Sequence, residues 1–198
     1  MKKLFILAAS TLVLCNLNSC KTKSGDASCG TPIGKYLADG KIAEYDLPAN
    51  PNGDTSVKQI YTAVTANIIQ QKNTYLNILG TTHSTVPYYL KGCGRDVFIN
   101  NDAYNMDAQV NAGNYFVKGD RTAGSAWNYT LNGQKYWCGC ASKNNSIIVP
   151  YDTLWADKIW FRANPAAVTC DTAYWNDTIG IVAWYGPNGY FQLMNKNF

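Results

Sequence analysis

Seven aromatic residues, Trp127, Tyr129, Tyr136, Trp137, Trp184, Tyr185 and Tyr190, fall on or beside two short segments that read as β-hairpins. Flat indole and phenol rings bordered by Asn, Asp and Gln can stack on sugar faces while the polar groups bond the hydroxyls, so carbohydrate is the first ligand class they suggest. Trp137 stands out because its face of the hairpin also carries Asn128, Thr130 and Lys135. Rings of this kind also fill cores and pair across strands, and that competing use applies to all seven.

Acid–base chemistry would fall to carboxylates. Glycoside hydrolysis needs two of them, at about 5 Å or about 6.5 to 9.5 Å. Glu44, the one glutamate, and Asp96, Asp102 and Asp107 are candidates by elimination. The last three occur in an Asn-dense run, 95–114, whose oxygens could hold calcium, but EF-hand spacing is absent and turn or cap duties account for most of them. The single histidine, His83, lies in a polar stretch, Thr81 to Thr85, and excludes every multi-histidine metal site. No G-x-S-x-G elbow, H-E-x-x-H helix, Walker loop or Rossmann glycine fingerprint occurs. No catalytic residue, metal or cofactor is therefore assigned, and a binding module is favoured over an enzyme.

Five further cysteines, Cys29, Cys93, Cys138, Cys140 and Cys170, are disulfide candidates, and two bridges with one thiol left over is the simplest count. Cys138 and Cys140 are two apart, so on a strand they face one side and each needs a distant partner. Zinc is disfavoured because no second close cysteine pair exists.

The elements that must position these groups are of two kinds. From Asp54 to Leu79, apolar residues at Val57, Ile60, Tyr61, Val64, Ile68, Tyr75, Leu76 and Leu79 approach a 3.6-residue period, with caps near Ser56 and a stop at Gly80. One long amphipathic helix is expected there. Beyond Pro87 come short aromatic and β-branched runs: 88–90, 96–99, 114–118, 126–131, 135–138, 146–149, 158–162, 179–184 and 190–194. Asn132-Gly133 suits a type I′ turn, which would set Tyr129 across from Tyr136 and Trp127 across from Cys138. A second hairpin should turn at Gly186 to Gly189. The expected fold class is α+β, a mainly antiparallel β-sheet with that helix near the start of the mature domain.

At the N-terminus, Lys2 and Lys3 precede an apolar run from Leu4 to about Leu14, which is too short to span a bilayer. Leu17-Asn18-Ser19-Cys20 then resembles the lipobox of bacterial lipoproteins. The resemblance implies a signal peptide over 1–19, lipid on Cys20 and a location in the bacterial cell envelope, at the outer membrane. Residues 20–28 would form the lipidated start and a polar tether, and 29–198 a single globular domain. Without Lys2 and Lys3 the formal charge of +4 drops to +2, too small a field to favour nucleic acid.

Asp152-Thr153-Leu154, Asp171-Thr172-Ala173 and Asp177-Thr178-Ile179 also resemble a bacterial O-glycosylation tripeptide. So short a pattern arises readily by chance, and the expected partners are the membrane, through lipid on Cys20, and a glycan, through the aromatic rings. The leading expectation is a lipid-anchored carbohydrate-binding module. Alternatives are a small envelope glycan or cell-wall hydrolase, and a structural or inhibitor-like protein-binding lipoprotein.

Overall fold

Runs of Thr, Tyr, Val and Ile suit a pleated, half-buried surface, and this chain uses them to build strands almost throughout. A computed structural model describes residues 29, 31–48, 53–166, 170–186 and 189–198. The signal peptide expected over 1–19, the expected lipid site Cys20 and the tether expected up to residue 28 lie outside the described residues. In chain order the strands are β1 (Lys41–Asp46), β2 (Asp54–Thr65), β3 (Ile68–Asn77), β4 (Thr82–Ser84), β5 (Tyr88–Cys93), β6 (Asp96–Asn100) and β7 (Tyr115–Val117). Then come β8 (Ala126–Leu131), β9 (Gln134–Ile148), β10 (Thr153–Arg162), β11 (Asp171–Asn176), β12 (Gly180–Gly186) and β13 (Gly189–Lys196). A 3-10 turn, Ala103–Asn105, and α1, Met106–Asn111, are the helical part of the described residues.

The fold is therefore nearly all antiparallel β, and the α+β expectation with a long helix over 54–79 is overturned. That stretch is the β2–β3 hairpin, in which Val57 pairs with Tyr75 and Tyr61 with Gln71. Its inward positions are Val57, Gln59 and Tyr61, all buried, at a period of two. Gln59 hides the pattern, because a polar residue occupies an interior position while Ile60 on the opposite face completes a false helical stripe. The Gln59 side chain is accommodated by the Tyr61 hydroxyl, which donates to Oε1 at 2.7 Å. Gly80, at φ 77°, turns the chain after β3 and does not cap a helix.

The sheet runs β7-β6-β5-β3-β2-β1-β13-β12-β11-β10-β9-β8, with β4 added beside β3, and curls into a nearly closed barrel. Its edges, β7 and β8, meet through side chains. Asn114 donates from Nδ2 to the Thr130 carbonyl at 3.0 Å and accepts from the Thr130 N–H at 2.8 Å, as a peptide unit would. The Trp127 indole donates to the Phe116 carbonyl at 3.4 Å, so the seam leaves little free edge. Both expected hairpins form. Asn132 and Gly133 take φ of 53° and 75°, and Tyr129 pairs with Tyr136, Trp127 with Cys138 and Asn128 with Trp137. In the second, Tyr185 pairs with Tyr190 and Gly186 with Gly189.

Strand directions give the barrel two ends. At one lie the β8–β9 turn and the paired Gly186 and Gly189 of β12 and β13. Across the other passes a strap, residues 31–40, tied by the Ile33 N–H to the Gly94 carbonyl (2.9 Å) and the Lys35 N–H to the Thr178 carbonyl (2.8 Å). The Cys29–Cys93 disulfide, with Cα atoms 4.4 Å apart, fixes its start. Tyr36 enters the core, and Gly92 must lack a side chain because a Cβ there would lie 2.6 Å from Leu37 and 2.8 Å from Pro32.

On the outer wall, Trp160 lies on Gly139, where an added Cβ would come within 2.5 Å of the indole. Gly139→Val should therefore cost about 1–3 kcal/mol of stability through overpacking. An unchanged urea midpoint would contradict this placement of Trp160. Replacing Cys29 and Cys93 together by Ser, which opens a loop with a sequence separation of 64, should cost about 4 kcal/mol in the same measurement.

Candidate functional site

Most of the rings singled out in the sequence are used by the fold. Tyr129 stacks on Tyr136 with centroids 5.0 Å apart, and Trp184 lies between Phe161 (5.1 Å) and Phe191 (6.2 Å). Trp127 packs against the same core and carries the seam bond. On the outer wall, Trp137 lies beneath Lys135, whose Nζ is 5.6 Å from the ring centre. Tyr185 and Tyr190 pair at 4.2 Å with their hydroxyls in hydrogen bond at 3.2 Å. The seven are divided between the barrel interior and two separate outer patches, and do not form one surface.

The four carboxylates have local duties. Glu44 pairs with Lys58 (3.2 Å) and Asp96 accepts from the Gly119 N–H (2.6 Å). Asp102 caps the 3-10 turn at the Tyr104 N–H (2.9 Å), and Asp107 binds the buried Lys91 (2.6 Å). His83 stacks on Tyr75 at 5.0 Å and lies 3.7 Å from Asp54. Of the cysteines, one bridge forms where two are expected, and Cys138, Cys140 and Cys170 are free. Cys138 and Cys140 do face one side of β9, but they pair with Phe161 and Ile159 of β10 and meet no third cysteine. Burial pushes both thiols up, away from the reactive thiolate. Among the described residues no three His, Cys, Asp or Glu side chains are grouped as metal ligands.

A different set of residues converges at the strap end of the barrel. A cleft of about 220 Å³ is bordered by Arg95, Arg121, Lys143, Asp157, Trp155 and Trp175. Its floor is an ion network. Arg121, only 3% exposed, sends Nη2 to Asp157 Oδ2 and to Asp177 Oδ1, each at 2.6 Å. Arg95 adds bonds to Asp177 Oδ2 from Nε (2.7 Å) and Nη2 (2.6 Å), and Lys143 binds Asp157 Oδ2 at 2.6 Å.

Local backbone irregularity makes this possible. The register of β9 against β10 shifts between Ala156 and Lys158. Asn144, a residue type that tolerates left-handed backbone, sits at φ 52° and turns its N–H to Asp157 Oδ1 at 3.1 Å. Burial alone would raise the Asp157 carboxyl. The bonds from Lys143 and Asn144 and the Arg121 charge outweigh burial and hold it below the usual carboxylate range.

Above the network stands Trp155, 63% exposed, its carbonyl fixed by Asn176 Nδ2 at 2.9 Å. The sequence reading missed it. The alternation of Leu154, Trp155 and Ala156 was the available signal, since Ala156 is buried and an outward Trp155 follows.

Asp157 and Asp177 share one guanidinium nitrogen, so they approach as closely as a retaining glycosidase pair. The oxygens of both are taken up, however, by Arg95, Arg121, Lys143 and the Asn144 N–H. The carboxyl that burial does raise is Asp171, at the far end of β11, about 16 Å along the strand from Asn176. Each of the four carboxylate oxygens in the cleft already accepts a hydrogen bond or ion-pair contact.

No family model matches this chain, and no curated protein does. Among solved structures, a Bacteroides fragilis protein described as exported and as having a YmcC-like fold aligns with a TM-score of 0.47 at 9% identity, over 81% of this chain and 97% of that chain.

Because the folded Asp157 value lies below its unfolded one, this carboxylate contributes stability that is complete above the unfolded range, near pH 4, and lost as pH falls through the folded value. Asp157→Asn should lower the thermal midpoint at neutral pH and make its fall in acid shallower. Thermal unfolding over a pH series checks this, and an acid limb as steep as the wild type's would contradict it.

Proposed function

We propose that the protein is a lipid-anchored binding module of the bacterial cell envelope that holds a glycan in the Trp155 cleft. The observation that carries this reading is an indole 63% exposed on the rim of a cleft whose floor is a fixed ion network. Burying an exposed ring against a sugar face returns apolar area, while preset polar groups orient the hydroxyls at little entropic cost. Asn144 and Thr178 border the same cleft.

Anchoring at the outer membrane rests on the lipobox, Leu17 to Cys20, and on the tether after it. The Cys29–Cys93 disulfide favours an oxidising compartment outside the cytoplasm. Binding is preferred to hydrolysis because the cleft carboxylates are tied to Arg95, Arg121 and Lys143.

The test is a glycan array probed with the purified full chain in neutral detergent. Trp155→Ala should weaken binding of any retained sugar by about tenfold, the order that one aromatic contact supplies. Trp137→Ala, whose ring lies under Lys135, should leave it unchanged. Loss of binding in Trp137→Ala with retention in Trp155→Ala would sink this placement of the site.

A further inference from the structure

The cleft holds more hydrogen-bond donors than free carboxylate acceptors. Asp157 Oδ1 takes the Asn144 N–H, and its Oδ2 takes both Arg121 and Lys143. Asp177 Oδ1 takes Arg121, and its Oδ2 takes Arg95 twice. Three cations thus face two carboxylates whose oxygens are all engaged.

Two residues that border the cleft each carry a buried donor, Arg121 Nε and the Trp175 indole Nε1, that meets no acceptor among the described residues. Both residues are 3% exposed, and leaving such a group unmet costs more than a typical bond returns. Two further buried groups lack a partner among the described residues, Tyr36 Oη, whose ring packs on Trp175, and Arg162 Nε, whose guanidinium lies over Trp160. In the adjoining depression of about 390 Å³, Lys118 pairs with Asp120 at 3.2 Å and Asp96 is engaged by the Gly119 N–H.

We infer that the glycan taken by this cleft carries an anionic group, a carboxylate or a phosphate, that docks against Arg95, Lys143 and the unmet donors of Arg121 and Trp175. This rests on the glycan reading above. A neutral hydroxyl brings a donor as well as an acceptor, whereas an anion brings acceptors only, and charge-assisted bonds to it are the stronger kind. Arg95 and Lys143 keep part of their side chains at the surface, with 55% and 30% exposed, so they can reach an incoming group without leaving the network.

The experiment compares three probes by calorimetry on the full chain in neutral detergent: oligogalacturonate, the same oligomer after reduction of its carboxyls, and inorganic phosphate. The acidic oligomer should bind about tenfold more tightly than its reduced form, and that preference should shrink with added salt. Lys143→Gln and Arg95→Gln should each reduce the preference, while Trp155→Ala weakens both sugars alike. The Trp175 indole N–H resonance, assigned with Trp175→Phe, should move on saturation with the acidic oligomer. Displacement of that oligomer by phosphate would mark the phosphate form of the same site.

Equal affinity for the two oligomers would overturn the anion inference and leave the glycan reading intact. A Trp175 resonance that stays fixed at saturation would likewise overturn it, the donors then being met by water. Binding of phosphate with no sugar retained would overturn the glycan reading and keep the anion site. Silence from all three probes would remove both.

Discussion

A barrel wall of twelve strands encloses more room than aliphatic side chains can fill, and filling that room is the constraint on which the rest of the structure depends. Eight strands leave an interior just wide enough for ordinary side chains, and diameter grows roughly with strand number. Here rings bridge the lumen. From Tyr136 a continuous series passes through Tyr129, Phe116, Phe161, Trp184 and Phe191 to Tyr45, with neighbouring centroids between 5.0 and 6.2 Å apart. A branch leaves Phe116 for Trp175 (6.1 Å), Tyr36 (5.9 Å) and Tyr61 (5.6 Å). Each such pair adds about 0.5–1.5 kcal/mol beyond the apolar area it buries. Removing one ring would leave opposite walls of the sheet with nothing to rest on.

The branch ties the packing to the cleft. Trp175 touches Phe116 and Tyr36 inside while its residue also borders the ion network, so the floor of the site is the outer layer of the core. Breaking a buried ion pair by removing one partner strands an uncompensated charge, typically at about 3–5 kcal/mol. Arg121 serves two carboxylates from one nitrogen and stands where that penalty is greatest. Arg121, which ties β10 to the turn after β11, also presets the cleft, so the shape of the cleft follows from geometry needed for folding.

What the sequence reveals of this fold depends on how local the cause is. The β8–β9 register is readable because Asn132-Gly133 dictates the turn and the turn dictates the pairing. The β2–β3 hairpin is concealed because Gln59 points inward and Ile60 outward, so periodicity alone favours a helix that tertiary pairing overrides. Aromatic surplus is legible as a quantity, but its use is not. Lumen filling takes Trp127, Tyr129, Tyr136 and Trp184, and the exposed Trp155 looks no different in composition. Arg95, Arg121, Lys143, Asp157 and Asp177 come from separate turns and strands and meet only when the barrel closes. No local spacing could announce them.

The covalent link between Cys29 and Cys93 also has a mechanical meaning. Tension applied to the chain ahead of residue 29 passes through the sulfur atoms into the end of β5, a strand held on both sides by β3 and β6. The strap over 31–40 is short-circuited and carries none of that load. Its bonds to Gly94 and Thr178, beside the cleft, remain unstrained while the N-terminal side is pulled. A pull on the N-terminal side of Cys29 therefore leaves the shape of the Trp155 cleft unchanged.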